Sequence, residues 1–107
     1  MNPGKLNRYV VLKGLQTIQD EGGGAQESYL IKKSCWASMR TIRTYGEMLA
    51  NRDTNVCLLE VTVRDNRRAD LAPRRGDIVE WSGRVFDVES VSPPENGYVV
   101  MICREES

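Results

Sequence analysis

The sequence lacks histidine altogether, and neither sign of charge is in excess, with 15 lysines and arginines against 15 aspartates and glutamates. Histidine is the commonest general base and metal ligand in proteins, so many catalytic and metal sites lose their usual residue. A balanced charge gives the chain no overall attraction to nucleic acid or to an anionic membrane. Composition therefore indicates no function, and local patterns have to be read instead.

Long apolar runs are also missing. No stretch approaches the ~20 residues that a membrane-spanning helix needs, and residues 1–8 contain no hydrophobic core of a signal peptide. This predicts a soluble cytosolic protein without a membrane partner. The 107 residues suit a single domain, 1–107, with one modest core.

Cysteine is scarce, and Cys35, Cys57 and Cys103 form no C-x-x-C pair. Free cysteine is among the most buried residue types, so we interpret the three as core residues rather than as a three-thiolate metal site or a nucleophile. The sequence also contains no P-loop, dinucleotide-binding glycine pattern or nucleophile elbow. Asp87 and Glu89 fit a solvated strand face better than acid–base catalysis. We therefore predict no enzyme, no cofactor and no metal.

The strongest positive signal is a β-hairpin at residues 76–91, which read G-D-I-V-E-W-S-G-R-V-F-D-V-E-S-V. Residues 82–84 form the turn, where Gly83 can take a positive φ without steric strain. Phe86 and Val88 share one face of the second strand, and two strands cannot bury that face alone. Trp36 lies in the middle of another predicted strand. We predict that Trp36, Phe86 and Val88 are core anchors.

Alternating apolar residues predict further strands at residues 6–13, 29–42, 56–64 and 98–103. A glycine-rich loop separates the first two of these strands, and an Asn-Gly turn precedes the last. About six strands joined by loops favour a small antiparallel β-barrel or sandwich. The predicted fold class is mainly β with one short α-helix.

The helical pattern lies between two of these strands. The letters T-Y-G-E at residues 44–47 fit a capping box, and Tyr45, Met48 and Leu49 would share one helix face. A helix of about two turns is too short to be stable without packing. Residues 41–55 are thus either a moving part or a static lid on a barrel end.

The connection at residues 65–75 is rich in arginine. A basic loop is typical either of a solvated surface or of a patch that contacts phosphate. No aromatic residue lies within it, so base stacking is not indicated. The loop is a candidate partner-facing or DNA-facing surface through Arg67, Arg68, Arg74 and Arg75.

Short motifs in order along nearly the whole chain resemble those of the head-tail joining proteins of tailed phages, also called head-closure, stopper or head-tail adaptor proteins. The start, M-N-P-G-K-L-N-R-Y-V-V-L, is similar to theirs, and C-W-A-S-M-R-T-I resembles their W-A-x-[ILVM]-R strand. V-T-V-R at residues 61–64 resembles their V-T-[IV]-R strand. G-R-V-F-D-V-E-S-V at residues 83–91 resembles their G-R-x-[FY]-x-I-x-S-V hairpin, and V-M-I-C-R-E is similar to their last strand.

This resemblance implies a small β-barrel that assembles as a ring, dodecameric on the connector, beneath a portal or adaptor ring. Such a ring closes the DNA exit channel of a filled head and offers a docking face to the tail. The implied partners are the portal or adaptor ring, tail proteins and packaged DNA in the channel lumen. The implied location is the host cytoplasm during assembly and the neck of the mature virion.

The resemblance also points to residues 41–55 as a gate facing the lumen. The candidate gate residues are Arg43, Tyr45, Glu47, Met48 and Arg52. The alternative function is a small nucleic-acid-binding barrel that binds phosphate through the basic loop and its neighbours. Its contacts would be Arg64, Arg67, Arg68, Arg74, Arg75 and Arg84.

Overall fold

The computed structural model describes residues 5–19, 22–49, 52–65 and 69–106. Within these ranges the chain forms six β-strands and one 3-10 turn. The strands are β1 (Arg8–Gln19), β2 (Ala25–Leu49), β3 (Arg52–Arg64), β4 (Ile78–Trp81), β5 (Arg84–Val91) and β6 (Tyr98–Glu106), and the turn is Ala69–Leu71.

The strands form one antiparallel sheet in the order β1-β2-β3-β6-β5-β4, which closes into a barrel where β4 pairs with β1. The predicted mainly β fold of about six strands is confirmed. The joint between β1 and β4 is short, because only Val11–Lys13 pair with Ile78–Glu80. The joint between β3 and β6 is much longer and runs from Val56 to Arg64.

The core fills the barrel with side chains that alternate along each strand, as a pleated strand requires. Phe86 is fully buried and Val88 is 3% exposed, whereas Asp87 between them is exposed. The other buried core residues are Val10, Leu12, Ala37, Leu59, Val61, Val63, Val79, Val99, Met101 and Cys103.

Two tight turns set the register of the hairpins. Ser82 and Gly83 join β4 to β5 with φ angles of 52° and 79°, and Asn96 and Gly97 precede β6 with 54° and 81°. Consecutive positive φ angles are characteristic of type I′ turns, whose twist matches that of the flanking strands. The turn predicted at residues 82–84 is thus two residues long, because β5 already begins at Arg84.

β2 is 25 residues long and belongs to two hairpins. Its first part pairs with β1 and its second part with β3, and the two ladders meet at Ala37. Each ladder contains a bulge, and a hairpin arm lies beyond each bulge. The first arm comprises residues 13–19 and 25–31, and the second arm comprises residues 43–49 and 52–58.

The arms make the molecule extended. Its radius of gyration is 15.1 Å, whereas a compact domain of this length has about 13 Å. Among the described residues, only β1 pairs with the first half of β2 and only β3 pairs with its second half. Each half of β2 therefore presents one unpaired backbone edge, which is a template for pairing with another chain.

A buried ion pair, here called the clamp, lies at the base of the first arm. Lys32 is the extra residue of the bulge, and its Nζ donates hydrogen bonds to the Asp77 carboxylate at 2.7 Å and to the Ala72 carbonyl at 3.0 Å. The same carboxylate accepts a hydrogen bond from the Arg74 backbone N–H at 2.9 Å. A Cβ at Gly14 would collide with the Lys32 side chain. The clamp thus attaches the loop before β4 to β2.

The helix predicted after residue 43 is wrong. Residues 43–49 continue β2 and pair with residues 52–58. The spacing of Tyr45, Met48 and Leu49 fits one helix face, but a helix this short gains little from propensity alone. The ladder of backbone hydrogen bonds with β3 outweighs this weak helical preference.

Within the described ranges, no helix is long and apolar enough to span a membrane.

The prediction that Trp36 is a core anchor is also wrong, because its side chain is 55% exposed. The residues on either side decide the register, since Cys35 packs against the core and Ala37 is fully buried. Successive side chains point to opposite faces of a strand, so Trp36 lies on the outside. A small residue, rather than the large aromatic one, fills the interior at this position.

Candidate functional site

A row of exposed apolar side chains follows the outer face of the β1–β2 hairpin from the barrel wall onto the first arm. We call this row the apolar stripe. It consists of Tyr9, Leu15, Tyr29, Ile31 and Trp36, which are between 43% and 67% exposed. Tyr9, Lys13 and Leu15 share the outer face of β1, because even numbers of residues separate them. Their partners on β2 lie on the same face: Tyr9 pairs with Trp36, Lys13 with Ile31 and Leu15 with Tyr29.

The barrel end of the stripe is an ordered aromatic pair. The ring centroids of Tyr9 and Trp36 are 5.1 Å apart with an interplanar angle of 69°, a T-shaped contact. Such contacts are worth about 0.5–1.5 kcal/mol beyond area burial, so the two rings hold each other in place. Exposed, fixed aromatic residues are the side chains that contribute most often to protein–protein binding.

The adjoining outer surface, which runs over the second half of β2, β3 and β6, carries paired charges. The Arg40 guanidinium bonds the Glu60 carboxylate at 2.8 Å, and Arg104 bonds Glu106 at 3.0 Å. Contiguous exposed apolar surface marks interaction sites in soluble proteins, whereas paired surface charges are ordinary solvated surface. The stripe is therefore the stronger candidate for a docking surface.

The candidate gate residues all lie on the second arm. The Arg43 guanidinium is 4.6 Å from the centroid of the Tyr45 ring, and this cation–π contact brings the two together. Arg43 is exposed and Tyr45 is half-buried. Glu47 and Met48 lie in β2 opposite residues 54 and 53, and Arg52 opens β3. A gate role for this hairpin stays a prediction.

The structure describes only part of the arginine-rich surface, because Arg67 and Arg68 lie outside the described residues. Arg74 and Arg75 are both exposed. The other two arginines of the nucleic-acid alternative are engaged within the molecule. Arg64 is 5.9 Å from the Tyr98 ring centroid, and Arg84 donates to both carboxylate oxygens of Glu105 at 2.8 and 2.5 Å.

The Arg84–Glu105 pair lies at one mouth of the barrel, and the hydrogen bonds from Arg84 lower the pKa of Glu105. Trp81 pairs directly with Arg84, and its ring lies 4.6 Å beneath the Arg8 guanidinium. Bidentate pairing and stacking therefore occupy these groups within the molecule. We therefore interpret this end of the barrel as a structural element rather than as a binding surface.

The cysteines are all free in the described structure, and Cys103 is fully buried. Burial raises the pKa of Cys103 to about 12 and also raises that of Cys35. Among the described residues, no group of three histidines, cysteines or carboxylates could hold a metal.

We expect native Cys103 to resist iodoacetamide at pH 8, because the thiolate is the nucleophile and this thiol is protonated and inaccessible. Mass spectrometry after alkylation should show Cys103 modified only in denaturant. Intact-mass analysis of the native protein should show neither disulfide nor metal. A stoichiometric zinc adduct lost together with the fold on chelation would contradict this prediction.

Sequence reasoning missed the apolar stripe. The signal was present, since Tyr9, Val11 and Leu15 alternate with buried Val10 and Leu12. Both faces of this strand are apolar, so alternation alone does not show which face is buried in the core. The bulge at Lys32 also hides the matching alternation in β2, because an inserted residue reverses the faces that follow it.

The chain is similar to known proteins over nearly its whole length. The family model described as phage head completion protein matches residues 1–106. A chain from the virion of a native gene transfer agent particle superposes with a TM-score of 0.79 at 22% identity, covering 94% of each chain. The solution structure of protein SF1141 from Shigella flexneri 2a gives 0.69 at 21% identity, covering 98% of this chain and 96% of that chain. No curated protein matches the chain significantly.

Proposed function

Because this chain belongs to the phage head completion protein family, we propose that it assembles as a ring at the portal vertex of a filled head. There it closes the DNA exit channel and presents a docking face to the tail. The family membership makes the chain a structural component of the head. The ring, the channel and the tail contact are the finer parts of the proposal. It acts in the host cytoplasm during assembly and in the neck of the finished virion.

The apolar stripe is the observation that carries this proposal. A monomer rarely exposes several large aromatic and aliphatic side chains on one face of a hairpin unless another protein covers them. The stripe continues onto an arm that projects from the barrel, so it can reach a neighbouring protein without distorting the core. A barrel with one projecting hairpin that carries exposed apolar side chains suits a part that joins other proteins.

The match to a chain of a gene transfer agent virion supports the same assignment, since that particle is itself a virion. The second arm supports channel closure, because its far end, residues 46–49 and 52–55, lies beyond the β3–β6 ladder and Arg43 is exposed at its base. An arginine near packaged DNA can contact phosphate directly. We propose that the second arm, as a hairpin rather than a helix, is the part that faces the channel.

The proposal is tested by adding the purified chain to the portal or adaptor ring encoded with it and to DNA-filled heads lacking it. Native mass spectrometry should detect a ring of copies on the portal, and the added protein should protect packaged DNA from nuclease. Trp36→Ser with Ile31→Ser should remain folded by circular dichroism but bind at least tenfold more weakly. A chain that stays monomeric with the portal and binds free DNA with a steep salt dependence would favour the nucleic-acid alternative instead.

The second arm should be among the least stable parts of the free protein. Its far end is a two-stranded ribbon, and such ribbons are marginal on their own. We expect amides of residues 44–52 to exchange much faster in the monomer than those of residues 59–63 and 85–88, and to become protected in the portal-bound ring. Hydrogen exchange followed by mass spectrometry measures both. Equal protection of the arm and the core strands in the monomer would favour a static lid.

A further inference from the structure

The outer surface carries two small patches whose chemistry is complementary. The first, here called the basic patch, lies on the second arm and consists of Ile42, Arg43 and Tyr45. The second, here called the acidic patch, lies on β5 and consists of Val85, Asp87 and Glu89. Ile42 is 45% exposed and Val85 is 50% exposed, so each patch joins one exposed aliphatic residue to charges.

The basic patch offers a guanidinium in a fixed position. Arg43 stacks on Tyr45 at 4.6 Å, and among the described residues it has no carboxylate partner. Ile42 is the extra residue of the second bulge, which turns it away from the regular ladder. Stacking restricts the arginine side chain, so less conformational entropy is lost when it binds a carboxylate.

The acidic patch offers two carboxylates without a basic partner in the described part of the chain. Asp87 and Glu89 are both exposed. Arg104 lies opposite Asp87 on β6, and its guanidinium bonds Glu106 at 3.0 Å. Asp87 and Glu89 flank buried Val88 on β5, and Glu89 is the extra residue of the bulge where β5 pairs with β6.

The two patches are separated by three strand spacings on the outer face of the sheet. Arg43 pairs with Leu58, Leu58 with Arg104, and Arg104 with Asp87, so the backbones of Arg43 and Asp87 are about 14 Å apart along the sheet. Side chains that far apart do not form an ion pair within one molecule, but they can meet on neighbouring copies. Contacts of this head-to-tail kind generate closed rings when the rotation between copies closes.

We propose that the basic patch of one copy binds the acidic patch of the next copy, with Arg43 between Asp87 and Glu89 and Ile42 against Val85. The occupant is a second copy of this chain, because the patches match in charge and in apolar content. This assignment rests on the proposed ring and names the surfaces that form it. The apolar stripe stays free in the ring to bind a different protein.

Charge reversal tests the contact in the full chain on its portal ring. Arg43→Glu alone, and Asp87→Arg with Glu89→Arg alone, should each reduce ring formation at least tenfold in native mass spectrometry. An equimolar mixture of the two variants should restore rings in which they alternate, because each mutated patch then meets an opposite charge. Arg75→Glu, a matched reversal on an exposed arginine outside both patches, should assemble like the parent.

The rescue by mixing separates a contact from a folding defect, since two misfolded chains do not repair each other. Rings formed by both variants alone, or a mixture that stays unassembled, would overturn the proposed contact while leaving the ring itself in place. A parent chain that forms no ring on the portal would overturn the proposed function and this contact together.

Discussion

Replacing Phe86 with alanine should unfold the protein or bring it close to unfolding at 37 °C. Phe86 is the largest fully buried side chain among the described residues, and it belongs to the core inside the barrel. Truncation of a buried phenylalanine costs about 3–5 kcal/mol through lost burial and the cavity that remains. A small domain has only about 5–15 kcal/mol of unfolding free energy. Urea denaturation followed by circular dichroism measures the loss.

The matched control is an aromatic residue on the outside of the same barrel. Trp36→Ala removes a larger side chain that is 55% exposed, so we expect a loss well under that of Phe86→Ala. A second control, Val85→Ala, lies one residue from Phe86 on the opposite face of β5. If Phe86→Ala melted within a degree or two of the parent, the register of β5 would have to be wrong.

Removing one partner of the clamp should be nearly as damaging. The side chains of Lys32 and Asp77 are only 17% and 6% exposed. Breaking a buried pair leaves an uncompensated charge and typically costs about 3–5 kcal/mol. Asp77→Ala also leaves the Arg74 backbone N–H without its acceptor. We therefore expect a loss of roughly 3 kcal/mol, which lowers the melting temperature by on the order of 15 °C.

Two comparisons show whether the clamp itself is responsible. Lys32→Met with Asp77→Ala should recover part of the loss, since neither charge is then buried alone, and a double-mutant cycle gives the coupling energy. Arg40→Ala breaks the Arg40–Glu60 pair, in which the arginine side chain is 70% exposed, and should cost under about 1 kcal/mol. Equal losses for Asp77→Ala and Arg40→Ala would mean that the clamp is solvated.

The parts of the fold that sequence predicts best are those fixed by short-range chemistry. The β4–β5 hairpin follows from Gly83, which tolerates a positive φ, and from the alternation that places Phe86 and Val88 on one face. The Asn96–Gly97 turn follows in the same way. In both cases a few neighbouring residues determine the structure.

The parts that sequence reasoning missed depend on partners far away in the chain. Whether Trp36 or Ala37 points inward is set by pairing with β1 and β3, not by the size of the side chain. The strand in place of a helix at residues 43–49 likewise depends on residues 52–58. The clamp joins residues 45 positions apart and has no local pattern at all.

The candidate site divides in the same way between local and distant determinants. Arg43 and Tyr45 belong to one short segment of the sequence, and the structure brings them into contact. The apolar stripe was not foreseen, because its residues come from two strands and are aligned by the bulge at Lys32. The sequence predicts Asp87 and Glu89 on a solvated face, and both are exposed in the structure.

The two joints that close the barrel have a consequence for how the chain folds. Strands β1, β2 and β3 are consecutive in sequence, as are β4, β5 and β6, so each trio can pair locally. Joining the trios requires the non-local ladders β3–β6 and β1–β4, which carry the loop-closure entropy and slow down folding. The β1–β4 joint offers three residue pairs in return, together with the Lys13–Glu80 ion pair across it and the clamp beside it. Those two ion pairs therefore contribute to keeping the ring of strands closed.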